Sequence, residues 1–245
     1  MSSKLTWEAE KVLEVNDLIA GYGDIIAVRD FSFSIEAGET LALLGANGAG
    51  KSTTIMSLMG LVERKSGRIM MDGEDISKLS IEARISRGIA IVPEGRRIFP
   101  DLSVHENLVV GGHIVSEEVM SEGIDSVFTY FPRLGQRSRQ SAGSLSGGEQ
   151  QMLAIGRALI SRPRVLMIDE LSLGLMPSIV DECYGVLENL KKDNIAILLV
   201  EQNTERALSV ADHVCVLEAG NMTWSGSAAS AQENETLATS MMGAD

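Results

Sequence analysis

The sequence predicts an α/β fold built on a parallel, doubly wound sheet. Three observations carry that expectation. Four short apolar runs, Thr40–Leu44, Ile89–Val92, 165–168 and 195–200, have the length and branched or aliphatic content of strands buried on both faces. Helix-like segments lie between them, and such alternation winds a parallel sheet. A glycine-rich loop follows the first run directly and leads into a helical pattern.

Taken in order, residues 12–36 alternate in polarity and hold Gly21 and Gly23, the pattern of antiparallel strands joined by a turn. After the loop, Ile55, Leu58 and Met59 fall on one side of a helix that Gly60 is placed to stop. Residues 66–71 followed by Asp72-Gly73 read as another strand with a turn signal. The stretch from Phe99 to Ser144 has helical periodicity and no strong strand, so a helical subdomain of about 99–160 is expected as an insertion. The tail from Ser225 is rich in Ser, Ala and Glu and is expected to end in a short helix and a frayed terminus. The expected organisation is an N-terminal extension 1–11, one domain over 12–238 and a tail 239–245.

The chain has 245 residues and a formal net charge of −13, with 44% hydrophobic residues, enough to bury a real core. The acidic balance disfavours a general nucleic-acid binder, because phosphate backbones require Lys and Arg. Cys183 and Cys215 are far apart in apolar stretches, a pattern of reduced, unpaired thiols. His105, His113 and His213 have no metal spacing, His213 reads as a satisfied core or edge histidine, and none is assigned to catalysis. Met56, Met59, Met70 and Met71 read as core packing. Residues 1–11 lack the basic-then-apolar layout of a signal peptide. No apolar run approaches the ~18 residues that span a bilayer, so membrane attachment is expected only through a partner.

The segment Gly45-Ala46-Asn47-Gly48-Ala49-Gly50-Lys51-Ser52 matches the phosphate-loop pattern at every fixed position, between a strand and a helix. Glycines let the backbone curl until several N–H groups aim at one anion, and the following helix adds its positive end. Lys51 can reach the β and γ phosphates of ATP, Ser52 can offer a hydroxyl to Mg²⁺, and Thr53 can contact the α phosphate. The run 165–168 leads straight into Asp169-Glu170, at the strand edge where ligands of parallel sheets sit. There Asp169 is placed to hold Mg²⁺ through its water shell, and Glu170 to polarise a water against the γ phosphate. Alone, that pair would be read as a solvated acidic turn. The phosphate loop reverses the preference.

A second anion site follows the helical stretch. In Leu145-Ser-Gly-Gly-Glu-Gln-Gln151, Ser146 reads as an N-cap, so Gly147, Gly148 and the next amides open a helix whose Met152, Ile155 and Leu159 share a face. LSGGEQQ between a phosphate loop and a strand ending in Asp-Glu resembles the nucleotide-binding subunit of ABC transporters, over about residues 12–226. The resemblance implies a P-loop NTPase (RecA-like) parallel-sheet core, with an antiparallel β subdomain and an inserted helical subdomain. It also implies a head-to-tail dimer in which Ser146, Gly147 and Gly148 of one subunit cap the γ phosphate held by the other. Tyr22 stands where such proteins place a ring against adenine, and 172–175 resembles the loop that touches the second subunit. Arg96, Arg97 and Phe99 lie in a segment the family uses near its permeases, although a solvated basic turn explains them equally well.

Three positions depart from the family pattern. Glu94 replaces the usual Gln, a metal ligand and relay to the permease. Gln202 replaces the usual His on the γ phosphate, and it can donate a hydrogen bond but carries no proton. Leu171 replaces a Pro, which would fix the turn; Leu is expected to leave it looser. The combination VPEGRRIFPDLSVHENL with LLVEQN is similar to one of the two ATPases of branched-chain amino acid importers, with urea and amide importers as neighbours. This implies a second ABC ATPase subunit in a hetero- or homodimer, two membrane permeases, an external solute-binding protein and a place on the cytoplasmic face of the membrane. The rival readings are a soluble ABC ATPase acting on DNA or the ribosome, and a regulatory nucleotide binder with weak hydrolysis. The first usually needs two motor domains or a long coiled coil, neither of which the sequence contains. The Gln202 departure keeps the second open.

Overall fold

In the computed structural model, residues 11–234 are described. The expected tail 239–245 and residues 1–10 of the expected extension lie outside that range; Lys11 is already the first residue of a strand.

The chain opens with a long hairpin, β1 (Lys11–Tyr22) and β2 (Ile25–Glu36), turned at Gly23 with φ 54°. β3 (Thr40–Leu44) runs into the phosphate loop and α1 (Lys51–Met59), which Gly60 ends in a left-handed cap bonded to Ser57 and Met56 carbonyls. β4 (Glu63–Met71) and the short β5 (Glu74–Asp75) follow, then α2 (Ile81–Ser86) and β6 (Ile89–Val92). The helical stretch holds α3 (Val104–Gly111), α4 (Glu117–Tyr130), α5 (Pro132–Gln136) and α6 (Gly147–Leu159). The chain then alternates through β7 (Val165–Asp169), α7 (Pro177–Lys192), β8 (Ala196–Glu201), α8 (Thr204–Leu208) and β9 (His213–Glu218). It closes on β10 (Asn221–Ser227) and α9 (Ala228–Glu233).

The strands form two sheets, one ordered β2-β1-β4-β5 and one ordered β10-β9-β3-β8-β7-β6. The first is antiparallel throughout. In the second, β9, β3, β8, β7 and β6 are parallel and β10 turns back along the edge. Successive side chains on a strand point to opposite faces, so the parallel sheet feeds two cores. Ala42, Leu44, Leu166, Ile168, Ile197 and Leu199 pack with Met152 and Ile155 of α6 and with Cys183 and Leu187 of α7. Leu41, Leu43, Val165, Met167, Leu198 and Val200 pack with Ile55 and Leu58 of α1 and with Leu13, Val15 and Phe31 of the antiparallel sheet.

Both cysteines are free and buried, and burial pushes each thiol up to about 12. His213 sits at an exposed strand start with Nε2 3.0 Å from Glu39 Oε1, an edge histidine. Met59 and Met71 are buried, whereas Met56 and Met70 are half-buried. The two-core arrangement makes a central-strand residue costly to truncate. Leu198→Ala is expected to cost about 2–5 kcal/mol in denaturant unfolding; a cost no larger than an exposed substitution gives, roughly 0.5 kcal/mol, would contradict a tight core there.

Candidate functional site

The parallel strands aim their carboxyl ends at one edge, which brings four loops together. Gly45, Gly48 and Gly50 have φ of 150°, 78° and 108°. Two of them are also places of close approach: a Cβ on Gly45 would stand 2.3 Å from Leu217 O, and one on Gly50 2.6 Å from Ala27 O. The loop is thus pinned between β2 and β9 in a conformation that side chains would block. α1 is pinned at its other end as well. The buried Arg84 guanidinium donates to Ser57 O at 3.0 Å, which also accepts from Gly60 N–H, and to Leu58 O at 2.6 Å, at the carbonyl end of the helix.

Lys51 lies folded along the loop, its Nζ donating to Gly45 O at 2.7 Å and Ala46 O at 3.0 Å. Burial lowers its pKa, opposed by the carboxyls of Glu170, Asp169 and Glu201. Across the cleft, Ser52 Oγ donates to Asp169 Oδ1 at 3.2 Å. Asp169 Oδ2 is buried and has no hydrogen-bond partner. Burial raises the Asp169 pKa, Glu94 and Glu201 add to the rise, and the Ser52 hydroxyl and Lys51 oppose it. Glu170 is raised in the same way by burial, then by Glu94 and Asp169. Gln202 Nε2 donates to Asn47 Oδ1, tying the end of β8 to the phosphate loop.

These residues wall an open cleft of about 420 Å³ lined by Asn47, Gly48, Gly50, Lys51, Ser52, Thr53, Glu94, Glu170 and Gln202. Ala27 and Leu173 complete the lining; neither carries a chemical group that sequence could flag. Asp169 supports the floor through Ser52. Tyr22 stands outside this wall, 55% exposed at the end of β1.

Ser146, Gly147 and Gly148 do not line the cleft of their own chain. Ser146 caps α6 in a reciprocal box with Glu149: its Oγ accepts from Glu149 N at 3.3 Å, and its N donates to Glu149 Oε2 at 2.9 Å. Arg137 lies 3.1 Å from Glu149 Oε1. Gly148 is buried where a Cβ would stand 2.5 Å from Ile179 Cγ2, so a packing constraint from α7 requires glycine there. Arg96 links the Glu94 turn to this helix by donating to Gln150 Oε1 at 3.2 Å. Phe99 is 45% exposed, with the Arg157 guanidinium 5.4 Å from its ring centre. Leu171 corrects an expectation. It is fully buried in the core beneath α6 and α7, so the turn is anchored by packing and is not loosened.

No group of three or more His, Cys, Asp or Glu side chains among the described residues forms a protein-only metal cage. A magnesium site has no need of one, since Mg²⁺ commonly takes one or two protein oxygens and fills its shell with water and phosphate. The unpartnered Asp169 Oδ2 beside the Ser52 hydroxyl fits that description.

A phosphate loop at the head of a parallel sheet, facing an Asp-Glu strand end, defines a P-loop nucleotide-hydrolysing protein. Within that class the chain belongs to the ABC transporter family, whose pattern matches residues 28–172, and it is one of the family's ATPases. It is 43% identical over 222 residues to the high-affinity branched-chain amino acid transport ATP-binding protein BraG of Pseudomonas aeruginosa, covering 91% of this chain and 95% of that one. It is 35% identical to the probable branched-chain amino acid transport ATP-binding protein LivF of Archaeoglobus fulgidus, covering 95% and 99%. It is also 32% identical to the lipopolysaccharide export system ATP-binding protein LptB of Escherichia coli, covering 95% and 98%. Among solved structures, a nucleotide-free ATP-binding cassette from an ABC transporter superposes with a TM-score of 0.84 at 23% identity, covering 93% and 97%. The ATP-binding subunit of another ABC transporter gives 0.81 at 28% identity, covering 92% and 94%.

The close approach at Gly50 yields a direct check. Gly50→Ala is expected to weaken binding of a fluorescent ATP analogue on the order of tenfold or more, while circular dichroism stays unchanged. Wild-type affinity would show that the loop relaxes around a Cβ.

Proposed function

We propose that the chain is the ATP-hydrolysing subunit of an importer for branched-chain amino acids, held peripherally at the cytoplasmic face of the membrane by its permeases. One structural observation carries the ATPase chemistry: the cleft joins Lys51 and Ser52 to Asp169 and Glu170. The assignment of solute is supported by the 43% and 35% identities to proteins of that transport class. The likeness to an export-system ATPase is lower, at 32%.

In this reading the amides of 45–53 and the end of α1 cradle the phosphates, and Lys51 swings from the Gly45 and Ala46 carbonyls to the β and γ phosphates. Ser52, Asp169 and Glu94 would hold Mg²⁺, which would neutralise charge on the transferring phosphoryl group. Glu170 accepts the proton of the attacking water. Gln202 exchanges Asn47 for the γ phosphate and donates a hydrogen bond to it. Tyr22 stacks its exposed ring on adenine. Ser146, Gly147 and Gly148 close the site of a second ABC ATPase subunit. Their absence from the cleft of their own chain supports that arrangement. Two permeases and an external solute-binding protein complete the assembly, and no nucleic acid takes part. The domain spans 12–238, with the helical subdomain at about 99–160.

Lys51→Ala is expected to abolish transport by removing ATP binding, measured by equilibrium titration and by leucine uptake into vesicles carrying the co-purified permeases. Glu170→Gln is expected to bind ATP normally while turnover drops on the order of a hundredfold or more. Wild-type turnover in that variant would remove Glu170 from the role of base. Chelation of Mg²⁺ should stop turnover of the wild-type chain and permit its recovery when the ion is restored.

A further inference from the structure

Glu201 is the last residue of β8 and is only 1% exposed, yet it does not line the cleft that the next residue, Gln202, helps to wall. Its carboxylate accepts three hydrogen bonds: from Ser172 N–H at 2.9 Å, from Ser172 Oγ–H at 2.8 Å and from Tyr184 O–H at 3.1 Å. The residue before it in the strand, Val200, accepts from Glu170 N–H at 2.9 Å. The end of β8 therefore grips the chain on both sides of the buried Leu171. Glu170 has φ 53° in this turn, a left-handed conformation that a non-glycine residue holds only when its surroundings enforce it. Just beyond, Leu173 and Met176 are exposed, at 54% and 67%.

A buried carboxylate is a costly way to stabilise a core, because an apolar residue of similar volume carries no desolvation penalty. What it supplies is direction. Two oxygens accept the backbone and hydroxyl donors of one serine in a single bidentate arrangement, and charge strengthens both bonds. We propose that Glu201 is a positioning residue. By holding Ser172 and Tyr184, it keeps Glu170 aimed into the cleft and fixes the 172–175 loop that meets the second subunit. The proposal rests on the role given to Glu170 above.

The test compares variants of the full chain by steady-state hydrolysis of Mg·ATP and by equilibrium binding of a fluorescent ATP analogue. Glu201→Gln keeps the shape but removes the charge that strengthens these bonds, and its amide N–H is satisfied only if a hydroxyl that now donates turns round to accept. Its kcat is expected to fall about tenfold or more, while KM and analogue affinity stay within about twofold. Ser172→Ala is expected to lower kcat less, and the double variant to fall little below Glu201→Gln alone, because both changes remove the same contact. Wild-type kcat in Glu201→Gln, losses of kcat and affinity together, or losses that simply multiply would each overturn the proposal. If Glu201→Gln does not fold, Ser172→Ala and Tyr184→Phe must show the kcat-only loss, and wild-type kcat in both overturns it equally. Glu170→Gln, assayed alongside, separates this outcome from failure of the base assignment itself.

Discussion

The buried carboxylate of Asp169 is the constraint around which the site is organised. It is 1% exposed, and only one of its oxygens has a partner. Glu94 and Glu201 add negative potential to it, and Lys51 is the cation that opposes them. Lys51 is itself under pressure to release its proton, because burial works against its charge. Removing like charges from water without compensation costs far more than any single hydrogen bond returns. An arrangement of this kind is stable as a receptor for added positive charge. A divalent ion arriving with a triphosphate would supply that charge, and the backbone amides of the phosphate loop and of the start of α1 would accept the accompanying anion.

Much of this was legible because strands and loops with strict local demands leave sharp traces. The runs Thr40–Leu44 and Ile89–Val92 coincide with β3 and β6, since strands buried on both faces need unbroken apolar sequence. The phosphate loop was equally plain, because Gly45 and Gly50 stand where a Cβ would collide with the backbone of Leu217 and Ala27. Ser146 was recognisable as a cap by its chemistry alone.

The rest depended on contacts between distant segments, which leave no local mark. Arg84 carried no assigned role in the sequence, yet it is buried across the end of α1. Leu171 read as a loss of rigidity, although packing beneath α6 and α7 supplies the restraint that proline would have supplied covalently. The antiparallel return of β10 was not foreseen, because its pattern of exposed and half-buried residues is weak. Gly148 looked like part of an anion cradle only, while its approach to Ile179 gives the same glycine a second reason to exist.

The two departures at the cleft act in the same electrostatic direction. Glu94 places a carboxyl where the family usually has a neutral amide, and it raises the pKa of both Asp169 and Glu170. Gln202 places a neutral amide where the family usually has a group able to carry positive charge. Compared with the usual pattern, the cleft gains a negative charge and loses a potential positive one. Free ATP, with its own negative charge, is repelled more strongly by such a cleft than ATP already paired with a divalent ion. The same charge distribution raises the proton affinity of Glu170, and a base is more effective as its pKa climbs toward the working pH. In the proposed reading, a weaker γ-phosphate contact at Gln202 and a more basic Glu170 act in opposite directions on turnover.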